Sequence, residues 1–252
     1  MEIFDQLFEK EELFVTDGYC TLGAENDECL SVEALLSQMD RIGVTQAVIA
    51  PGSREFAAEN QSGNARIAAI AREHQTRLIA AFSVNPWKTD ALALAQSALD
   101  DGGRILILAP HRQGCHLGDA LWDPLLQWAE KRNVRVYAHA SPSASGTPSQ
   151  LLFLADRHPG VRFLLGRGGT SDYASDMFPL LELAPANVWY DFGFVRPTVL
   201  ASYAETAPTR FCFASCSPQN DQEFELDLLR THIPPKLLAG VLGGNFLSFL
   251  ES

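Results

Sequence analysis

The chain has 252 residues, a formal net charge of -12 and 46% hydrophobic content, enough apolar material for a substantial core. The 19 basic residues form no Lys/Arg-rich run, so nucleic acid is not an expected partner. No apolar stretch approaches the roughly 20 residues of a membrane helix, and none is expected to meet a membrane. The N-terminus, Met1 to Glu12, is acidic and lacks the basic-then-apolar pattern of a signal peptide. The five cysteines are odd in number and contain no C-x-x-C pair, which points to reduced thiols and a cytoplasmic location.

Strand-like runs and helical patterns alternate along the chain. The predicted strands are 13–16, 44–50, 78–84, 105–109, 134–140, 161–165, 188–192 and 210–214. Most are apolar on both faces, as a buried parallel sheet requires. Ser31 is placed to cap a helix over 32–42, with Gly43 as its stop. Thr89 can cap 90–101, and 119–132 carries Leu121, Leu125, Trp128 and Ala129 at helical spacing. Thr147-Pro148 opens a helix through His158, which Pro159-Gly160 ends. Helices are also predicted at 172–183 and 197–205, and the tail reads as a helix broken at Gly243-Gly244. Segment 141–149 reads as a loop.

About eight strand–helix units at this length predict an α/β fold, a single closed (β/α)8 TIM barrel over 1–252. No G-x-G-x-x-G follows the first strand, which argues against a dinucleotide fold.

Four segments carry a family likeness: Val134–Ala140 with His139; Leu154–Phe163 followed by Leu165-Gly166-Arg167-Gly168-Gly169; Phe211–Pro218; and Leu238 through Asn245 to Leu250. In their order and spacing these resemble the strand ends of the amidohydrolase-related ("amidohydrolase 2") metal-dependent hydrolases and decarboxylases. The resemblance implies a metal site, and the chain departs from it systematically. Tyr19 and Thr21 stand where two first-strand histidines belong, Arg167 at the sixth-strand His and Cys216 at the eighth-strand Asp. Only His139 remains. No metal and no other cofactor is therefore expected, because a catalytic metal usually needs about three protein ligands and arginine cannot ligate.

The candidate catalytic residues are His139, Arg167, Asp17 and Cys216. Strand alternation puts Asp17, Tyr19 and Thr21 on one inward face. Asp17 reads either as a carboxylate accepting backbone or Tyr hydrogen bonds or as a partner for Arg167, and Arg167 either as a salt-bridge partner of Asp17 or Asp191 or as an anchor for a carboxylate or phosphate. His139 reads as a general acid/base or a retained core histidine. Cys216 reads as a nucleophile or a buried inert thiol. The candidate ligand-binding residues are Tyr19, Arg54, His111, Arg112 and Asp191. Arg54, His111 and Arg112 follow strands, on the face where barrel sites form.

Two functions follow. One is a metal-poor barrel that binds a small anionic molecule or has no catalytic role. The other is an active amide, ester or lactone hydrolase, or a decarboxylase, working without a metal or with a rebuilt site. Barrels of the resembled family are often oligomeric, so a homo-oligomer is an open option with no assignable interface.

Overall fold

A computed structural model describes residues 13–25, 28–140, 145–167 and 174–251, with only the backbone of Glu25 and of 174–176. Among these, eight parallel strands form one sheet: β1 (Thr16–Thr21), β4 (Gln46–Ala50), β5 (Leu78–Ser83), β6 (Ile105–Leu108), β7 (Arg135–His139), β8 (Phe163–Gly166), β9 (Val188–Asp191) and β10 (Phe211–Cys212), paired in that order. The barrel closes where Gly18 N–H donates to Phe213 O (2.9 Å) and Cys216 N–H to Tyr19 O (3.1 Å). Two further strands, β2 (Gly23–Glu25) and β3 (Glu28–Leu30), form an antiparallel hairpin that the sequence pattern did not reveal. The fold is thus the (β/α)8 barrel expected.

The helical layer follows local chemistry. Ser31 caps α1 (Val32–Ile42) by accepting from Ala34 N–H, and Gly43 ends it in the left-handed region at φ 80°. α2 (Ser53–Ala57) and α3 (Asn60–Glu73) follow β4. They were not expected, because α3 is Asn- and Gly-containing and weakly periodic. Then come α4 (Ala91–Asp100), α5 (Pro110–Gln113) and α6 (Asp123–Lys131). Asp90, not Thr89, precedes α4. The helix expected over 119–132 is split, since Ala120–Trp122 is a 3-10 turn ahead of Pro124. Thr147 and Gln150 form a capping box on α7 (Pro148–Arg157). Of the loop expected over 141–149, residues 141–144 lie outside the described residues and Pro148 already belongs to α7.

α8 (Ala174–Leu183), α9 (Pro197–Thr206) and α10 (Gln222–His232) complete the ring; α10 was missed. The tail does not break at Gly243-Gly244. α11 (Pro235–Ala239) runs through a π turn at Gly240–Gly244 into α12 (Asn245–Leu250). A π turn absorbs the extra residue without ending the helix.

Two apolar clusters result. Leu35, Trp122, Leu151 and Leu226 belong to the layer between barrel and helices. Tyr19, Ile107, Tyr137, Leu164, Cys216 and Phe246 belong to a second, smaller cluster with Val48, Ala81 and Ile105 from the strands.

Candidate functional site

The site lies at the C-terminal ends of the barrel strands. β7 ends in His139, which is 2% exposed. Four rings surround its imidazole: Tyr19 at 4.9 Å and Tyr137 at 5.4 Å, both edge-on, Phe56 at 5.9 Å, and His111 at 6.5 Å. Tyr19 also stacks on Tyr137 at 4.9 Å. Both His139 ring nitrogens are buried, with no hydrogen-bond partner among the described residues. Buried polar atoms are normally satisfied, so each exception calls for an explanation. Burial, then the charges of Arg167, Arg112 and His111, hold the His139 pKa well below its usual value. At neutral pH the ring is neutral, with one donor and one acceptor nitrogen.

Tyr137 was not singled out in the sequence. Two residues before His139, strand alternation already places it on the same face. Its hydroxyl donates a short hydrogen bond to Asp191 Oδ2, from β7 to β9 across β8. β8 makes room with Gly166, where an added Cβ would fall 2.3 Å from the Tyr137 ring. Asp191 Oδ1 accepts from the backbone N–H groups of Arg167 (2.6 Å) and Gly193 (3.0 Å). Burial outweighs these bonds and pushes the Asp191 pKa up to about 7.

Arg167 follows β8 with φ 60°, a conformation rarely adopted by a residue with a side chain. Its guanidinium donates to Gln219 and lies 4.7 Å over the Phe194 ring. It forms no ion pair with a described residue. The salt-bridge reading is therefore corrected: Asp191 holds the Arg167 backbone and feels its charge, but the guanidinium makes no direct ion pair with Asp17 or Asp191. Phe194 (φ 63°) and Cys216 (φ 60°) are strained in the same way. Such strain clusters at functional sites, at about 1–3 kcal/mol per residue.

Asp17 accepts backbone hydrogen bonds and forms no ion pair with Arg167 among the described residues. The pairing register shifts between Asp17 and Cys20, so simple alternation fails there. The Asp17 carboxylate accepts from Ser215 N–H (2.8 Å), Gln222 Nε2 (2.7 Å) and Cys20 Sγ (3.2 Å). It ties the barrel seam to α10, and its Oδ1 also accepts from the Tyr19 backbone N–H (3.2 Å). Tyr19 and Thr21 do meet, Thr21 Oγ1 donating to Tyr19 OH at 3.2 Å. Cys216 is buried, and its thiol is pushed well above the usual pKa by burial and by Asp191. Gly193 leaves space for its sulfur, since a Cβ there would lie 2.6 Å away.

Arg112 stands 5.7 Å over the Phe56 ring and donates to His111 Nε2 (3.2 Å). His111 also lines a 240 Å³ pocket with His116 and Ser145. These side chains come from α5 and the segment after it, which the sequence showed only as a loop. Arg54 is not part of this arrangement: its exposed guanidinium pairs with Glu59 at 2.8 Å. Phe194, Gln219, Ser215 and Gln222 were also missed, because no chemistry-bearing pattern marks them in the sequence.

Among the described residues no group of three or more His, Cys, Asp or Glu side chains is placed to hold a metal ion. No described helix is long and apolar enough to cross a membrane.

A barrel whose site lies at the strand C-terminal ends is the framework of many hydrolases and lyases. The amidohydrolase family model matches residues 23–245, and the chain belongs to that family. No curated protein matches the sequence. Solved structures do. A TIM-barrel protein of unknown activity from Bordetella bronchiseptica has a TM-score of 0.78 at 18% identity, covering 94% of this chain and 98% of that one. The 2,6-dihydroxybenzoate decarboxylase from Rhizobium has a TM-score of 0.77 at 13% identity, with coverage of 94% and 98%. The 5-carboxyvanillate decarboxylase from Sphingomonas paucimobilis has a TM-score of 0.74 at 17% identity, with coverage of 94% and 99%. At these identities the likeness establishes the fold alone.

Proposed function

We propose that the barrel mouth binds a small, flat, carboxylate-bearing anion without a metal ion. The observation that carries this reading is His139: a buried imidazole with no hydrogen-bond partner for either nitrogen among the described residues, walled by aromatic rings, beside an Arg167 that forms no ion pair with a described residue. An anionic ligand satisfies both groups together. The guanidinium fork matches a carboxylate in two hydrogen bonds. The neutral imidazole then donates to, or accepts from, a hydroxyl beside it. The aromatic wall of Tyr19, Tyr137 and Phe56 around His139 suits a planar, partly apolar ligand. The two named decarboxylases are, by their names, enzymes of aromatic carboxylates, which agrees with this chemistry.

The residues at the family's ligand positions do not fit a divalent metal. Tyr19 and Thr21 are poor ligands, and Arg167 stays protonated and repels a cation. Cys216 would have to ionise, against the direction in which its surroundings push it. His139 is left as one imidazole where about three protein ligands are needed.

Asp191 favours a second reading, an acid–base hydrolase or decarboxylase that uses no metal. A carboxyl group titrating near 7 is poised for proton transfer at neutral pH. In that reading Arg167 anchors the substrate and His139 or Asp191 moves the proton. Asp17 supports the seam, and Cys216 remains a thiol.

The test is calorimetric titration of chelator-treated protein with 2,6-dihydroxybenzoate and with its uncharged analogue 1,3-dihydroxybenzene. Saturable binding of the acid alone, unchanged by added zinc or manganese, is expected. Binding that appears only with metal would overturn the reading. Consumption of the acid over hours in the same samples would select the second one.

A further inference from the structure

The opposite end of the barrel carries a different charge pattern. Five of its eight strands begin at, or one residue after, an arginine: Arg77, Arg104, Arg135, Arg162 and Arg210. Four of these are absorbed by the fold. Arg77 donates to Val44 O and Thr45 O and pairs with Asp40. Arg210 donates to Pro185 O (3.0 Å). Arg135 donates to Phe249 O (2.8 Å), Leu250 O (2.9 Å) and Glu251 O (2.8 Å), and Arg162 to Ser248 O (2.8 Å) and Glu251 O. These two clamp the carbonyls at the end of α12, where a helix C-terminus welcomes positive charge.

Arg104 differs. Its backbone N–H donates to Ala80 O (2.8 Å), but its exposed side chain has no hydrogen bond or ion pair to a described residue. It lines a 380 Å³ pocket with Arg72, Gln46, Gln75, Asp101 and Leu250. Arg72, on the last turn of α3, spends one N–H on the Asp101 carbonyl (3.0 Å). Arg135 lies close enough to both Arg104 and Arg162 for their charges to oppose its own. Neither Arg135 nor Arg162 has a carboxylate partner among the described residues; their partners are carbonyls, the Asn133 amide and the Trp189 ring. A positive field thus stands over this pocket in a chain of net charge -12.

We infer that this pocket is a second ligand site, separate from the mouth, which binds the phosphate group of a small phosphorylated molecule. Two guanidiniums and the Gln75 amide, with the second N–H of a Gln46 amide that already donates to Thr76 O (3.2 Å), supply donors to the several oxygens of a phosphate dianion, where a carboxylate offers only two. The volume falls in the range of small-molecule sites, roughly 300–1,000 Å³, so the pocket has room for more than the phosphate itself. The apolar wall at Leu250 faces the remainder of the molecule. Asp101 is the one acidic side chain in the lining and sets an upper limit on affinity.

The test is calorimetry with glycerol 3-phosphate and with inorganic phosphate at low ionic strength. Saturable binding is expected, tighter for the ester. Arg104→Gln and Arg72→Gln should each weaken it by about tenfold or more, as loss of a charged hydrogen bond does. Asp101→Asn should tighten it several-fold. All three positions are exposed, and thermal melts will show whether the variants fold. The mouth variant Arg167→Gly should leave this affinity unchanged. Absence of saturable binding would overturn the inference, as would an affinity untouched by Arg104→Gln or lost with Arg167→Gly. Equal affinity for both probes would identify free phosphate as the ligand and overturn the phosphorylated molecule.

Discussion

The Tyr137 hydroxyl reaches Asp191 over Gly166, joining β7 to β9 across the strand between them. This contact orders the rest of the mouth. Asp191 in turn fixes the Arg167 backbone in its left-handed conformation, and Tyr137 forms one wall around His139. Gly166→Ala should therefore destabilise the protein by about 1–3 kcal/mol through overpacking against the tyrosine. Tyr137→Phe should cost a similar amount, about 1–3 kcal/mol, by leaving a buried carboxylate oxygen unpaired. Urea denaturation of both variants checks this.

Asp191 predicts a pH dependence. Its folded pKa, about 7, lies above the ordinary value of 3.8. Between those values the folded state holds a proton that the unfolded chain has lost. Its contribution to stability is therefore complete below about pH 4 and falls as pH rises to about 7, with a slope of at most about 1.4 kcal/mol per pH unit. Asp191→Asn is nearly isosteric and removes this titration. The difference in unfolding free energy between wild type and Asp191→Asn, measured from pH 4 to 8, should move steadily in favour of the variant. A pH-independent difference would place the group's pKa outside that window.

His139 works in the opposite sense. Its folded pKa is held below the ordinary 6.5, so its contribution is present above pH 6.5 and is lost as the solution is acidified. His139 also buries two polar nitrogens that have no partner among the described residues. Replacing such a group with an apolar one of similar size removes that desolvation cost, typically about 1–3 kcal/mol. His139→Leu should raise the melting temperature of the ligand-free protein and flatten its acid limb. The same change should weaken carboxylate binding. A core histidine with no ligand role would leave binding untouched.

The Asp17 knot makes a structural prediction. Asp17 accepts from Ser215, Gln222 and Cys20 where β1 meets β10. Asp17→Ala orphans the Gln222 amide and the Ser215 N–H at the barrel seam. It should destabilise by several times the roughly 1 kcal/mol of a single hydrogen bond. Anion affinity per folded molecule should stay near wild type, measured on the fraction that remains folded.

The barrel was legible because its signals are local and repeated. Apolar runs such as Ile105–Leu108 have few alternatives to a buried parallel strand, and Ser31, Gly43 and Thr147 mark helix ends through their own backbone chemistry. What failed was weakly patterned or long-range. α3 presents Asn60, Gly63 and Asn64 to the core, so its buried face does not look apolar. The register shift after Asp17 depends on closure against β10, which lies about two hundred residues away in the sequence. For the site, His139 and Arg167 stand out by residue type. Gln219 and Phe194, which hold the guanidinium, are ordinary loop residues until the fold brings them to it.

The central claim is that Arg167 anchors an anion at the mouth. Calorimetry of 2,6-dihydroxybenzoate with chelator-treated wild type and Arg167→Gly tests it most directly. Glycine accepts φ 60° without strain and keeps the backbone N–H bonded to Asp191, so the variant should fold with equal or greater stability. The account predicts that affinity falls at least about tenfold in this stable variant, as loss of a charge-assisted contact requires. Unchanged affinity in Arg167→Gly would contradict it.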